Sequence, residues 1–229
     1  MHTRVRIFID KRVHSELKPF MAFLEIYKVR VMTSTPEQLE EINRVIATVK
    51  ARYPDMASLL RDRIIRAYRN FYWKIKIDPT KQRPSSKALI RRVIRTGRVP
   101  LINNIVDAGN MASLMTGISI GLYDLDKIEG EVLTLKYSQP GDRCVLIGGE
   151  KVVLKGEPCL YDQTKIIHIY PHRDCDATKI TDETKNVLII ACGVPNIRLS
   201  EVIDAANKTK EYILRFAGGI PSELSKVGI

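Results

Sequence analysis

Apolar residues recur at helical or strand spacing along most of the chain, and this pattern predicts the secondary structure. Residues 5–9 are predicted to form a short strand, and residues 20–32 one or two more. A helix then begins after Thr35, a suitable N-cap; Pro36 fits its first turn and Gln38 completes a capping box. Its apolar positions share one face: Leu39, Ile42, Val45, Ile46 and Val49.

Four further helices are predicted, at residues 55–73, 85–96, 104–115 and 200–217. Asp55 can cap the first of them, which ends in the aromatic run Phe71-Tyr72-Trp73. These aromatic side chains either pack in the core or stack on bases. The second helix has Ser85 or Ser86 as its cap and stops at Gly97, and the third closes at Gly117.

From Ser119 onward the pattern changes to short strands separated by turn residues, at 119–123, 132–137, 144–146, 152–154, 159–161 and 166–170. Residues 185–191 form a continuous apolar run, typical of a strand buried on both faces. We therefore predict an α+β layered fold in which helices pack on a mostly antiparallel or mixed β-sheet. One domain should span residues 1–229, with an N-terminal α/β layer at 1–78 and a core with the pocket at 79–229.

Charge adds a candidate partner. The 229 residues include 37 Lys and Arg against 26 Asp and Glu, a formal net charge of +11. Such an excess favours polyanions, because each cation near a phosphate releases condensed counterions. The basic residues cluster at 50–69, 74–87 and 91–98. The last cluster lies on a predicted helix, where its arginines project largely to one side and either face phosphates or are solvated. They are Arg91, Arg92, Arg95 and Arg98.

Motifs of several enzyme classes are absent from the sequence. There is no GxxxxGK[ST] loop and no GxGxxG after a strand. The sequence therefore argues against ATP-driven ligation and dinucleotide redox chemistry, and we expect no nucleotide or other cofactor.

The cysteines and the N-terminus indicate a cytoplasmic protein with no membrane partner. MHTRVRIFID is charged and strand-like rather than a signal peptide, and no apolar run approaches the length that spans a bilayer. The four cysteines are widely spaced and are expected to be reduced. They are Cys144, Cys159, Cys175 and Cys192.

The HIYPHRDC stretch places His168, His172, Asp174 and Cys175 close together. Zinc sites use ligand pairs at short fixed spacing with a second pair elsewhere, and no second pair is apparent. We therefore predict no metal site, and no nucleophilic pair of His172 and Cys175, because no third residue orients them.

Asn103, Asn104 and Asp107 are embedded among apolar residues at a helix start. Buried amides and carboxylates are costly unless they are hydrogen-bonded. Either the asparagines cap the helix and Asp107 favours its positive end, or the three side chains line a pocket.

Asp124 and Asp126 end a predicted strand and point to the same face of it. One of them could activate a water while the other orients it. The alternative is a strand-ending turn in which Asp126 pairs with Lys127 or an arginine.

These segments together resemble a known module. INNIVD at 102–107 with Asn110, YDLDK at 123–127 and TDET at 181–184 are similar to the B3/B4 module of the phenylalanyl-tRNA synthetase β subunit. DPTK at 78–81, RPSS at 83–86, ALIRR at 88–92 and the Gly148-Gly149 turn resemble free-standing B3/B4-domain proteins. The resemblance covers about residues 68–195.

The resemblance implies a function. In the synthetase the module binds the acceptor end of charged tRNA and hydrolyses tyrosine wrongly attached to phenylalanine tRNA, by means of a positioned water. The bacterial pattern has an editing-pocket histidine where this chain has Gly121, and archaeal-type modules also lack it. The chain has no nucleotide motif, so it is not a complete synthetase.

The resemblance also assigns candidate site residues. Asp124 would orient a water and Asn104 would support the amino acid, as the catalytic pair. The predicted partner is tRNA or aminoacyl-tRNA, which the protein binds or deacylates in trans; a noncatalytic RNA-binding module and a binder of a free amino acid are the alternatives. The oligomeric state is left open. The predicted substrate-binding residues are Arg83, Asn103, Asp107, Gly149, Arg173 and Thr181.

Overall fold

The computed structural model describes residues 2–229 and confirms the α+β class, with two main sheets instead of one. The strands are β1 (Arg6–Ile9), β2 (Phe20–Tyr27), β3 (Ser119–Asp124), β4 (Val132–Tyr137), β5 (Arg143–Val145), β6 (Lys151–Val153), β7 (Pro158–Tyr161), β8 (Ile166–Ile169), β9 (Arg173–Asp174), β10 (Asn186–Gly193), β11 (Ile220–Pro221) and β12 (Ser225–Val227). The helices are α1 (Lys11–Leu17), α2 (Pro36–Arg52), α3 (Met56–Arg61), α4 (Arg63–Lys74), α5 (Ser85–Thr96), α6 (Asn104–Thr116) and α7 (Leu199–Ala217).

The first sheet has the strand order β1-β4-β7-β8-β9, with β1 parallel to β4 and the other pairs antiparallel. The second sheet has the order β11-β2-β10-β3, with β12 also paired to β2, and is antiparallel throughout. β5 and β6 form a separate hairpin. Because β1 and β2 are strands of sheets built mainly from later residues, the layer at 1–78 shares one hydrophobic core with the rest of the chain.

The helices cover the second sheet. α6 and α7 pack on each other and on its strands, and α2 and α5 pack against α6. β10 is the central strand of this sheet and is buried from Val187 to Gly193, as its apolar run predicts. The predicted glycine ends are also confirmed, since Gly97 and Gly117 adopt left-handed backbone at the C-caps of α5 and α6.

Three helix predictions need correction. The helix predicted at 55–73 is divided into α3 and α4, because Asp62 accepts hydrogen bonds from the amides of Ile64 and Ile65 and starts a new helix. Gln38 does not complete a capping box; its amide donates to the Asn104 carbonyl at 2.8 Å. Neither Ser85 nor Ser86 caps α5, whose N-cap is Pro84.

The prediction of reduced cysteines is wrong for one pair. Cys144 of β5 and Cys175 after β9 form a disulfide, with their Cα atoms 6.1 Å apart. The isolated bridge between Leu146 and Cys175 brings the hairpin against the end of the first sheet, and this contact is invisible in the residue spacing. Cys159 and Cys192 are free and buried, and burial raises the pKa of both thiols.

The sequence pattern missed α1, β9, β11 and β12, each of seven residues or fewer. Such short elements lack a full period of apolar positions and depend on their neighbours. None of the helices in residues 2–229 combines the length and apolar composition needed to cross a bilayer.

Candidate functional site

The excess of positive over negative charge lies in one segment of the chain. Residues 61–98, which contain α4 and α5, hold thirteen Lys or Arg and two Asp or Glu, whereas the rest of the chain holds 24 of each sign. The net charge of +11 is therefore carried by this segment alone. We call residues 61–98 the basic segment.

The arginines of α5 line a groove of about 210 Å³. Arg91, Arg92 and Arg95 contribute to it, together with Arg83 from the preceding turn. Among the described residues 2–229 none of these four arginines forms an ion pair. Arg98, predicted on the same face, follows the end of the helix and does not line the groove. The guanidinium groups are therefore available to an external anion.

A cleft of about 450 Å³ adjoins this groove and shares Arg83 and Ala88 with it. Its far wall comes from the end of the β8–β9 turn and from the first residue of β9, Arg173, which is paired with Glu150. Glu150 follows Gly149 in the β5–β6 turn, where Gly149 has a φ of +88°. Arg83 and Arg173 therefore line one cleft, and Gly149 adjoins it through Glu150; the substrate-binding roles of these three residues stay predictions.

His172 also lines this cleft, and its ring lies 5.1 Å from that of Tyr72. Burial, with the nearby positive charges, lowers the pKa of His172 to about 3, so the imidazole is neutral. Its Nδ1 atom and the Tyr72 hydroxyl are buried without a hydrogen-bond partner in the described part of the chain. Two buried polar atoms beside the cleft are therefore without a hydrogen-bond partner in residues 2–229.

The aromatic run that ends α4 is divided between core and surface. Phe71 and Tyr72 are buried, whereas Trp73 is 54% exposed. Arg69 and Arg66 precede Trp73 by four and seven residues, so the three side chains lie along the same side of the helix. An exposed indole beside arginines offers a surface on which a base can stack.

Asn103 and Asn104 have structural partners at the start of α6. Asn103 is the N-cap and accepts from the amides of Ile105 and Val106. Asn104 is 0% exposed; its Oδ1 accepts from the Met32 amide at 2.9 Å. Its amide also donates to two carbonyls, those of Arg30 at 2.9 Å and Phe216 at 3.0 Å. Asn104 therefore connects α6 to the segment after β2 and to the end of α7.

Asp107 completes this group. Its carboxylate accepts from the Ser34 hydroxyl at 2.6 Å and from the Ile102 amide at 3.0 Å. Burial raises its pKa, and the two hydrogen bonds partly oppose that rise. The side chain is 2% exposed and faces no cleft described here.

Asp124 and Thr181 belong to a second polar group, at the end of β3. The Asp124 carboxylate accepts from the Asp126 amide at 3.1 Å and the Thr184 hydroxyl at 2.7 Å, and lies 3.3 Å from the Lys127 ammonium. The Lys127 ammonium also reaches the Thr181 hydroxyl at 3.3 Å. Asp124 is 3% exposed, so this group fastens the turn after β3. Asp126 accepts from the Asn186 amide and does not pair with Lys127.

The two polar groups share no hydrogen-bond partner with each other or with the basic cleft. The predicted site residues therefore fall into three places: Asn103, Asn104 and Asp107; Asp124 and Thr181; Arg83, Gly149 and Arg173. The catalytic roles of Asn104 and Asp124 stay predictions, and the geometry gives both side chains structural partners.

Gly121 stands where the resemblance places the editing histidine. A β-carbon at this position would overlap the hydroxyl of Tyr123. That hydroxyl donates to Asp174 at 2.7 Å, and Asp174 in turn lies 2.8 Å from His168 Nδ1. The space beside Gly121 is therefore filled by a buried Tyr123–Asp174–His168 network.

Sequence reasoning did not single out Arg69 or Lys87 within the basic clusters, and it left Trp73 open between core packing and base stacking. Lys87 has a weak signal, because it follows Arg83 by four residues and precedes Arg91 by four. That spacing places Lys87 and Arg91 on one side of α5, with Arg83 in the turn before the helix. Burial of Lys87 at 6% exposure could not be read from a run rich in charged residues.

Comparison with known families identifies the module. The sequence profile of the B3/4 domain matches residues 67–229. The phenylalanine–tRNA ligase β subunit of Symbiobacterium thermophilum is 24% identical over 192 residues, covering 83% of this chain and 20% of that subunit. The corresponding subunit of Ralstonia nicotianae is 26% identical over 171 residues, covering 72% of this chain and 20% of its own length.

A solved structure shows the same fold. It is an N-terminal fragment of the phenylalanyl-tRNA synthetase β subunit from Pyrococcus horikoshii, with a TM-score of 0.52 and 14% sequence identity. The alignment covers 99% of this chain and 55% of that fragment. The chain therefore spans about a fifth of the length of these curated relatives and about half of the solved fragment.

Proposed function

Because the chain belongs to the B3/4 domain family, we propose that it binds the acceptor end of a charged tRNA through the basic segment. The relatives are phenylalanine–tRNA ligase β subunits, whose substrate is tRNA. One observation carries the proposal: residues 61–98 carry a net charge of +11, equal to that of the whole chain, and the four arginines of this segment that line the groove have no ion pair within residues 2–229. Arginines without partners bind phosphates, whereas paired ones would first have to be released.

The shape of the site supports a single-stranded end as the ligand. The groove along α5 continues into the cleft below the β8–β9 turn, because both are lined by Arg83 and Ala88. Phosphates would follow the groove, and the terminal nucleoside with its amino acid would enter the cleft. Trp73 adds an exposed aromatic surface on the same segment, and base–aromatic stacking tolerates any base.

Hydrolysis of a mischarged amino acid is the second candidate, and His172 is the observation that favours it. Its neutral imidazole lines the cleft, and its Nδ1 atom, buried without a partner in residues 2–229, could accept a proton from a water that reaches it. A base whose pKa is about 3 is nevertheless weak at neutral pH. Asp124 and Asn104, the other candidates, are hydrogen-bonded inside the protein. Binding without turnover is therefore the form of the proposal that the geometry supports best.

A binding titration with charged and uncharged tRNA tests the proposal. Affinity should fall steeply as the salt concentration rises, with a log–log slope near −0.7 for each single-strand phosphate contacted. Affinity that is independent of salt, or no binding at all, would overturn the proposal. Affinity for free tyrosine or phenylalanine, indifferent to tRNA, would favour a small-molecule binder instead.

Deacylation of tyrosyl-tRNA and of a panel of other charged tRNAs tests the second candidate. We expect the ester to survive at the rate seen without protein. Loss of the ester that is abolished in His172→Gln would establish hydrolysis, and loss that is abolished in Asp124→Asn would restore the predicted catalytic role of Asp124.

A further inference from the structure

Lys87 is an unusual lysine, because it is almost buried and has no acidic partner. Lys87 is the third residue of α5 and is 6% exposed. Within the described residues no carboxylate forms an ion pair with it. Even partial burial of an ammonium group without a counter-charge is costly, so such an arrangement needs an explanation.

The neighbours of Lys87 increase this cost. Arg83, in the turn before α5, and Arg91 lie four residues before and after Lys87, and Arg69 approaches from α4. Burial, followed by the charges of Arg69, Arg83 and Arg91, lowers the pKa of Lys87. Four cations thus surround one place in the fold. A bound anion would remove both the desolvation cost and the repulsion.

The first turn of α5 presents further donors there. Its N-cap is Pro84, which has no side-chain donor or acceptor, so the first amides of this twelve-residue helix are not capped by a side chain. Ser86, in that turn, is 0% exposed and its hydroxyl has no hydrogen-bond partner in the described chain. Arg69 Nε is likewise buried without a partner. The positive end of the helix dipole adds to the attraction for an anion.

The donor set specifies the chemistry of the anion. Lysine and arginine can only donate hydrogen bonds, and a phosphate offers several acceptor oxygens to satisfy them together. The carboxylate nearest to the cleft belongs to Glu150, which is already paired with Arg173. No internal acid is placed to neutralise the four cations.

We propose that Arg69, Arg83, Lys87 and Arg91 form a phosphate-binding site at the start of α5, with the Lys87 ammonium at its centre. The assignment rests on the proposed function, because the phosphate is taken to be a phosphodiester of the bound RNA strand. Lys87 then fixes the register of that strand between the groove along α5 and the cleft beneath the β8–β9 turn.

The test compares the full chain with Lys87→Met and with the control Lys226→Met. Methionine keeps the aliphatic stem and removes the charge, so the variant should fold; Lys226 is an exposed lysine of β12, outside the basic segment. With a short single-stranded RNA, Lys87→Met should lower the affinity about tenfold and reduce the log–log salt slope by about 0.7. The control should match the wild type in both quantities.

Inorganic pyrophosphate alone is the second arm. It should raise the thermal unfolding midpoint of the wild type and of Lys226→Met, and leave that of Lys87→Met unchanged. Ser86→Ala is an independent variant that removes a neutral donor. It should weaken RNA binding without changing the salt slope, and it keeps the test valid if Lys87→Met does not fold.

The two arms separate the site from the proposed function. RNA binding of normal affinity and slope in Lys87→Met would overturn the site while leaving RNA binding intact. Stabilisation by pyrophosphate that requires Lys87, with no RNA binding by the wild type, would support the phosphate site and overturn RNA as its source. Absence of both effects in the wild type would overturn both proposals.

Discussion

The protein contains two sets of polar residues, one bonded to other protein atoms and one without protein partners. The amides and carboxylates around α6 and the end of β3 are buried and bonded to protein atoms, as Asn104 and Asp124 show. The arginines of α5, with Arg83 just before it, lie at a groove and a cleft, and Arg83, Lys87 and Arg91 have no ionic partner among residues 2–229. The first set already has its partners, whereas the second set lacks them.

This difference separates scaffold from site. Buried polar groups that are satisfied internally stabilise one arrangement of the chain, and their removal leaves orphaned partners. Unpaired cations lower the stability of the folded protein, and a bound anion raises it. Polar residues that stand out equally in the sequence can therefore have unrelated roles. Four experiments test the distinction between the internally bonded residues and the unpaired cations.

The largest effect is expected on stability from Asn104→Ala. The change leaves the Met32 amide and the carbonyls of Arg30 and Phe216 without partners, so the free energy of unfolding should fall by about 3 kcal/mol. Urea denaturation measures this. The matched control Asn70→Ala changes an exposed residue of α4 and should stay within about 0.5 kcal/mol. A small effect of Asn104→Ala on stability would argue against a structural role and favour the predicted catalytic role of Asn104.

Replacement of Arg91, Arg92 and Arg95 by glutamine should lower RNA affinity about fiftyfold at low salt and reduce the salt slope by about two, because three unpaired cations leave the groove. The free energy of unfolding should not fall, since these side chains make no ion pair in the described protein. Binding is followed by fluorescence anisotropy across a salt series.

The matched control for this variant removes three exposed lysines outside the basic segment: Lys151, Lys155 and Lys226. It changes the net charge equally. An equal loss of affinity in the control would show that RNA responds to total charge, and the contrast between the two regions would disappear.

His172 should make stability depend on pH. The folded imidazole stays neutral down to a pKa of about 3, whereas the unfolded residue takes up a proton near pH 6.5. As the pH falls from 7 to 5 the unfolded state therefore gains a proton that the folded state cannot bind, and the free energy of unfolding should drop by about 2 kcal/mol. This contribution is present above the unfolded pKa and is lost on acidification.

Urea denaturation at pH 7 and pH 5 of the wild type and His172→Gln isolates that contribution. The difference between the two pH values should be smaller in the variant by the amount that His172 supplies. If the free energy of unfolding depends on pH equally in both proteins, His172 is not a buried neutral residue in the wild type.

Trp73→Ala should have the smallest effect, about a tenfold loss of affinity for single-stranded RNA. The salt slope should not change, because stacking involves no phosphate, and stability should stay nearly constant since the indole is 54% exposed. Trp73→Phe retains an aromatic face and should recover most of the affinity. Full affinity in Trp73→Ala would restrict the site to α5 and the cleft.

Much of the fold could be predicted because it is encoded locally. β4 lies at the predicted residues 132–137, Asn103 caps α6 and Gly117 ends it, since periodicity and caps need only adjacent residues. In the candidate site, Arg83 and Arg173 line one cleft with Gly149 beside it, and three of the four arginines predicted on one helix face line one groove, whereas the binding roles of Arg83, Gly149 and Arg173 stay predictions. Asn104 has partners 74 and 112 residues away, which no local pattern contains.

The sequence by itself determined the B3/4 module, its α+β class and the basic character of residues 61–98, because motifs, periodicity and charge are properties of neighbouring residues. Only the tertiary structure decided that there are two sheets, that Cys144 meets Cys175, and that Lys87 lies buried among arginines. These features arise from contacts between residues far apart along the chain. Whether a polar side chain is satisfied or left free is such a contact property, and it distinguishes scaffold from site in this protein.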